Sequence, residues 1–135
     1  CVAGFRTDCP ATQHQPASGQ TACQTCAEGS HQPSTGEANC ITCPLGHYCT
    51  AGVQYECATH SYAPSVGLNA CPICPAGTYN LLPKQSTCTD CPIGSICNAG
   101  DILECAAGSY TDVIKQTACH VQHCARVHIR YPDHL

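Results

Sequence analysis

The sequence predicts a small disulfide-rich fold, an elongated tandem-repeat rod of short β-hairpins and turns with negligible helix. Three observations predict it. Sixteen cysteines lie among 135 residues, above the roughly 8–10% that marks a disulfide scaffold. They recur in register every 48 residues, as in Cys1/Cys49/Cys97, Cys9/Cys57/Cys105 and Cys23/Cys71/Cys119, and likewise in Cys26/Cys74, Cys40/Cys88 and Cys43/Cys91. A constant period means small units stacked along one direction. The chain also lacks the residues to fill an ordinary core, with no Trp, no Met and Phe5 as its only Phe. Folds that bury too little apolar area rely on covalent cross-links instead.

Each period divides into three sub-units, and the last cysteine of each opens the next. Two are long, Cys-x13-Cys-x2-Cys, and one is short, Cys-x5-Cys-x7-Cys. Numbered along the chain, sub-units 1 and 2 run over 9–26 and 26–43, and the short sub-unit 3 over 43–57. Sub-units 4, 5 and 6 repeat this over 57–74, 74–91 and 91–105, and sub-unit 7 opens at Cys105. The expected domain organisation is therefore the tail of a truncated short sub-unit at 1–8, repeat 1 at 9–56, repeat 2 at 57–104, a partial repeat 3 at 105–124 and an irregular tail at 125–135.

Other residues keep the register. Most sub-units open Cys-Pro/Ala-x-Gly, as in Cys43-Pro44-Leu45-Gly46 and Cys91-Pro92-Ile93-Gly94. There the Pro restricts the chain and the Gly permits a turn. Five residues after each opening cysteine stands His14, His31, Tyr48, Tyr62, Tyr79, Ile96 or Tyr110. The expected role is a small plate over a disulfide or the next sub-unit. Ten residues after it in the long sub-units stands Gly19, Gly36, Gly67, Lys84 or Lys115. This suits the turn of a hairpin whose arms end at the two cysteines. The short sub-units share Ala-Gly at Ala3-Gly4, Ala51-Gly52 and Ala99-Gly100. Gly, Pro and Cys interrupt every window before a helical period develops. Register fails at the end, where Gln122 replaces a cysteine and Cys124 comes two residues late. Beyond it, Val127, Ile129 and Tyr131 alternate with polar residues, as in a short strand.

Connectivity is not unique from sequence, but one pattern must serve every period. The local pattern closes each long loop on itself, Cys9–Cys23, Cys26–Cys40, Cys57–Cys71, Cys74–Cys88 and Cys105–Cys119, with Cys43–Cys49 and Cys91–Cys97 in the short sub-units. The rival is crossed, Cys43–Cys57 with Cys49–Cys71. The local pattern leaves Cys1 and Cys124 over, and these are candidates for an intermolecular bond.

Cys74-Pro75-Ala76-Gly77-Thr78-Tyr79, followed by Ser86-Thr87-Cys88-Thr89-Asp90-Cys91-Pro92-x-Gly94, resembles the ephrin-receptor-like cysteine-rich repeat, related in style to tumour-necrosis-factor-receptor repeats. The resemblance spans residues 1–119, and the alternating array is similar to protist surface antigens. It implies an extracellular rod of disulfide-linked hairpins without catalytic residues.

Competing chemistries have less support. The pairs Cys23/Cys26, Cys40/Cys43, Cys71/Cys74 and Cys88/Cys91 have zinc-ribbon spacing, but Cys49, Cys57, Cys97 and Cys105 have no place in four-thiolate sites. His120, His123 and His128 form a second metal candidate, with Asp133 as the only tail carboxylate beside them. No βαβ pattern surrounds a Cys-x2-Cys pair, and no nucleophile triad has supporting spacing. No catalytic, cofactor or metal residue is assigned. A net charge of −4 with 10% charged residues offers no basic face for nucleic acid and no polybasic segment for anionic lipid. No apolar stretch is long enough to span a membrane, and without an initiator Met the chain reads as a mature product or a piece of a longer one. No Asn-x-Ser/Thr sequon exists, while Ser18, Ser34 and Thr35 near Pro are candidate O-glycan carriers.

These readings predict an extracellular or cell-surface structural protein, a subunit or segment of a self-assembling surface fibre or coat, with other copies of itself as head-to-tail partners. The alternative is a receptor or adhesion ectodomain fragment that binds a protein ligand. Neither is an enzyme.

Overall fold

The computed structural model describes residues 8–15 and 22–121. Within them the chain is all-β and disulfide-rich, built from short antiparallel hairpins, with no helix. Twelve strands form six two-stranded sheets. They are β1 (Gln13–His14) with β2 (Gln24–Thr25), β3 (Ser30–His31) with β4 (Ile41–Thr42), β5 (His47–Thr50) with β6 (Val53–Glu56), β7 (Thr78–Tyr79) with β8 (Thr89–Asp90), β9 (Ser95–Asn98) with β10 (Asp101–Glu104), and β11 (Ser109–Tyr110) with β12 (His120–Val121). Every pairing is antiparallel.

Each hairpin begins in the opening motif. In sub-unit 2 the Ser30 N–H donates to the Ala27 carbonyl (3.0 Å), and Gly29 between them has φ +79°. That positive φ at the third position is what a type II turn requires. The following hydroxyl reinforces the turn, since Ser30 Oγ also donates to Ala27 O at 2.7 Å. Ser61, Thr78 and Ser109 do the same in their own sub-units.

The arms of the long hairpins do not end at their two cysteines, as the spacing suggested. The second arm lies past the closing cysteine, in the two residues between the cysteines of Cys-x2-Cys, such as Gln24–Thr25 and Thr89–Asp90. Sub-unit 4 shows the same pairing reduced to one bridge, Ser61 with Ile73. Pro72 occupies its second arm and has no N–H to give the ladder.

Cysteine fills the interior. Among the described residues, Cys9, Cys43, Cys49, Cys57, Cys91 and Cys97 are the largest fully buried side chains, and the buried apolar set adds Cys26, Cys74 and a single non-cysteine, Ala63. Ile73, Leu82, Ile93 and Leu103 are each more than 60% exposed. Among the described residues no helix is long and apolar enough to cross a membrane.

Candidate functional site: the junctions between sub-units

Seven disulfides are formed among the described residues: Cys9–Cys23, Cys26–Cys40, Cys43–Cys49, Cys57–Cys71, Cys74–Cys88, Cys91–Cys97 and Cys105–Cys119. Each is a bridge of the local pattern, and Cys91 joins Cys97 rather than Cys105. The two cysteines of every Cys-x2-Cys pair therefore serve different bridges. Cys23 closes one loop while Cys26 begins the next. Cys1 and Cys124, the candidates for an intermolecular bond, lie outside the described residues, as do Gly19, His123, His128, Asp133, the O-glycan candidate Ser18 and the strand expected over 127–131.

Successive sub-units are joined by backbone hydrogen bonds. The residue ten after the opening cysteine takes a positive φ, +74° at Gly36, +77° at Gly67, +63° at Lys84 and +64° at Lys115. Its N–H then points at the preceding sub-unit. Gly36 donates to Cys9 O, Gly67 to Cys43 O, Lys84 to Cys57 O and Lys115 to Cys91 O, all at 2.8–2.9 Å. In each case the acceptor is the opening cysteine of the neighbour. A second series crosses three sub-units. Thr12 N–H donates to Gln32 O and Gln32 N–H to Gly52 O, and His60, Asn80 and Gly100 repeat the series one period later. The position read as a hairpin turn is thus also a link between sub-units, which the sequence did not reveal.

Side chains add to some of these links. Lys84 Nζ lies 3.1 Å from a Glu56 carboxylate oxygen, and Lys115 Nζ lies 3.1 Å from Asp90. Glu56 and Asp90 directly precede the cysteines whose carbonyls the two lysines engage. Both pairs are about half exposed, and exposed pairs contribute little, about 0–1 kcal/mol. Gln32 and Asn80 are buried and satisfied. Gln32 donates to Asn39 O and accepts from Ser34 N–H, while Asn80 donates to Ser61 O and accepts from Leu82 N–H.

The plate series divides by residue type. His14 Nδ1 lies 3.1 Å from Cys40 Sγ, and buried His31 Nδ1 lies 3.6 Å from Cys49 Sγ. Both rings therefore sit against a disulfide of the next sub-unit. Tyr48 instead stacks on Tyr55 across its own hairpin, with ring centroids 5.1 Å apart, and Tyr110 lies 5.9 Å from the ring of His120.

One trio, His14, Cys26 and Cys40, brings three potential metal-ligand atoms within 4.8 Å of one another. Its two sulfurs are bonded to each other. A disulfide sulfur is not the thiolate a metal needs, so the trio is a packing contact in the oxidised protein.

A groove of about 340 Å³ opens where sub-units 1, 2 and 3 meet, lined by Ala11, Thr12, His31, Gln32, Pro33, Gly52, Val53 and Gln54. The pattern of cysteines gave no sign of it. No protein-family model matches this chain, and no curated protein matches it.

Proposed function

We propose that this chain is an extracellular structural repeat protein, a subunit or segment of a surface fibre or coat whose sub-units continue from one molecule to the next. Its likeness to ephrin-receptor-like cysteine-rich repeats belongs to the same proposal, as does a structural rather than catalytic role. The observation that carries the reading is a set of groups in sub-units 6 and 7 that meet no partner among the described residues. Gly46 packs so tightly that a Cβ there would come 2.3 Å from Lys84 O, whereas at its equivalent Gly94 no described residue comes within 4 Å. Cys105 C=O is the counterpart of Cys9 and Cys57 C=O, and among the described residues it receives no N–H. Glu104, the counterpart of Glu56, has no cation partner among them. By register, a further long sub-unit would meet Gly94, the Cys105 carbonyl and Glu104, as sub-unit 5 meets Gly46, Cys57 and Glu56. A contact between unlike ends propagates into a filament unless its rotation closes a ring.

The alternative, an ectodomain fragment that binds a protein ligand, draws on the exposed Leu81, Leu82 and Ile93. Light scattering under native conditions separates the two, together with mass analysis without and with reductant. A fibre subunit forms concentration-dependent oligomers, which Glu104→Lys weakens, and a Cys1–Cys124 bond adds reductant-sensitive multimers. A strictly monomeric chain at all concentrations overturns the fibre reading in favour of the ectodomain.

A further inference from the structure

We propose that the groove at the junction of sub-units 1, 2 and 3 is a binding site for a small uncharged organic molecule, with an apolar body and one hydrogen-bond donor, anchored by His31. The groove's volume of about 340 Å³ falls in the range of small-molecule pockets, about 300–1,000 Å³. Apart from the imidazole, no lining side chain carries an ionisable group, so nothing there would offset the desolvation of a charged ligand. Ala11, Pro33 and Val53 supply apolar surface.

His31 is only 8% exposed. Its Nδ1 faces the Cys49 sulfur at 3.6 Å, while Nε2 has no partner among the described residues. Every sealed side-chain nitrogen or oxygen among those residues does have a partner, so Nε2 is open to solvent. With the proton on Nδ1, toward the weakly accepting sulfur, Nε2 is an acceptor. Gln32, by contrast, is fully engaged by Asn39 and Ser34 and serves as wall.

Repeat 2 carries different side chains at the equivalent place. The residues in register with Thr12 and Val53 are His60 and Asp101, which join across the equivalent place with Nε2 to Oδ1 at 3.1 Å. Tyr79 stands in register with His31. Beneath both sites the backbone is alike, because Gly52 packs on Thr12 O as Gly100 packs on His60 O, with a Cβ 2.3 and 2.4 Å away. The same scaffold is thus open in one repeat and bridged in the other.

Titration of the oxidised chain with indole, followed by amide and His-ring NMR signals, tests the proposal. Saturable shifts are expected at His31, Gly52 and Val53, with none at Tyr79, Gly100 and Asp101. The double variant Thr12→His/Val53→Asp copies repeat 2 and should weaken binding at least about tenfold, a loss of about 1.4 kcal/mol. His31→Tyr, also copied from repeat 2, should do the same and serves if the double variant fails to fold. Non-saturable shifts, equal shifts in the two repeats, or unchanged affinity in the folded variants would overturn the proposal.

Discussion

Repeats 1 and 2 share one disulfide skeleton and one set of backbone links, yet they cover their junctions with different side chains. His14 and His31 in repeat 1 become Tyr62 and Tyr79 in repeat 2. Gly36 and Gly67 correspond to Lys84 and Lys115, and the residues facing them, Asp8 and Thr42, to Glu56 and Asp90. The backbone donor survives both exchanges, because Gly36 and Lys84 each give their N–H to an opening cysteine at 2.8 Å. The difference teaches which layer holds the array together. Bridges and backbone hydrogen bonds recur in both repeats, whereas the lysine ion pairs and the His60–Asp101 contact depend on which side chain stands at each position. Side chains at the junctions are thereby free to diverge, and the groove beside His31 is one result.

The largest expected effect removes what the repeats share. In the chain-entropy model, a bridge closing a loop of about 15 residues stabilises by about 3 kcal/mol, and a folded domain has only about 5–15 kcal/mol in hand. Dithiothreitol should abolish dispersed amide signals from both repeats together, whereas EDTA should leave them intact. Unfolding by EDTA alone would show that a metal holds the chain.

Single bridges come next. Replacing Cys91 and Cys97 together by Ser should cost about 2–5 kcal/mol, and the equivalent change at Cys43 and Cys49 about as much, read by urea denaturation. A non-reducing digest should yield Cys91 joined to Cys97, and a peptide joining Cys91 to Cys105 would contradict the skeleton itself.

A sharper comparison sets Gly46 against Gly94. Both have positive φ, +72° and +85°, so alanine at either costs about 1–2 kcal/mol of backbone strain. Among the described residues, the new Cβ meets a carbonyl at Gly46, Lys84 O at 2.3 Å, and meets nothing within 4 Å at Gly94. Gly46→Ala should therefore destabilise clearly more than Gly94→Ala and disturb the amide signals of sub-unit 5. Equal costs would mean that the close packing contributes nothing.

Smallest of all is the exchange of Lys84 for the glycine of repeat 1. Lys84→Gly loses a half-exposed ion pair worth about 0–1 kcal/mol and relieves a positive φ of +63° worth about 1–2 kcal/mol, a gain partly offset by glycine's greater freedom in the unfolded chain. Thermal unfolding should shift little, and the variant's stability should become less sensitive to salt. A large loss would show that the Lys84–Glu56 pair, rather than the backbone link, joins sub-units 4 and 5.

Much of the fold was legible. The cysteine period, the Cys-Pro/Ala-x-Gly openings and the lack of Trp, Met and all but one Phe together indicated hairpins held by disulfides, because these are local signals. A turn that needs positive φ names its glycine wherever it falls. The plates His14 and His31 were legible as covers for a neighbouring bridge, though Tyr48 turned to its own hairpin. The placement of the second arm beyond the closing cysteine was not legible, since a loop of Cys-x13-Cys says where the chain returns and not which two residues pair.

By itself the sequence determined the unit: its length, its turns, its lack of an apolar core and hence its dependence on sulfur. Only the tertiary structure decided how units meet. The links run from backbone N–H to backbone carbonyl, between Lys84 and Cys57 or Gly36 and Cys9. Every residue but proline carries both groups, so no side-chain pattern records such links. The groove and the bridged site opposite it in register arise from the same cause. Thr12 and Val53 are 41 residues apart in sequence and come to line one space only because stacking carries sub-unit 3 back against sub-unit 1.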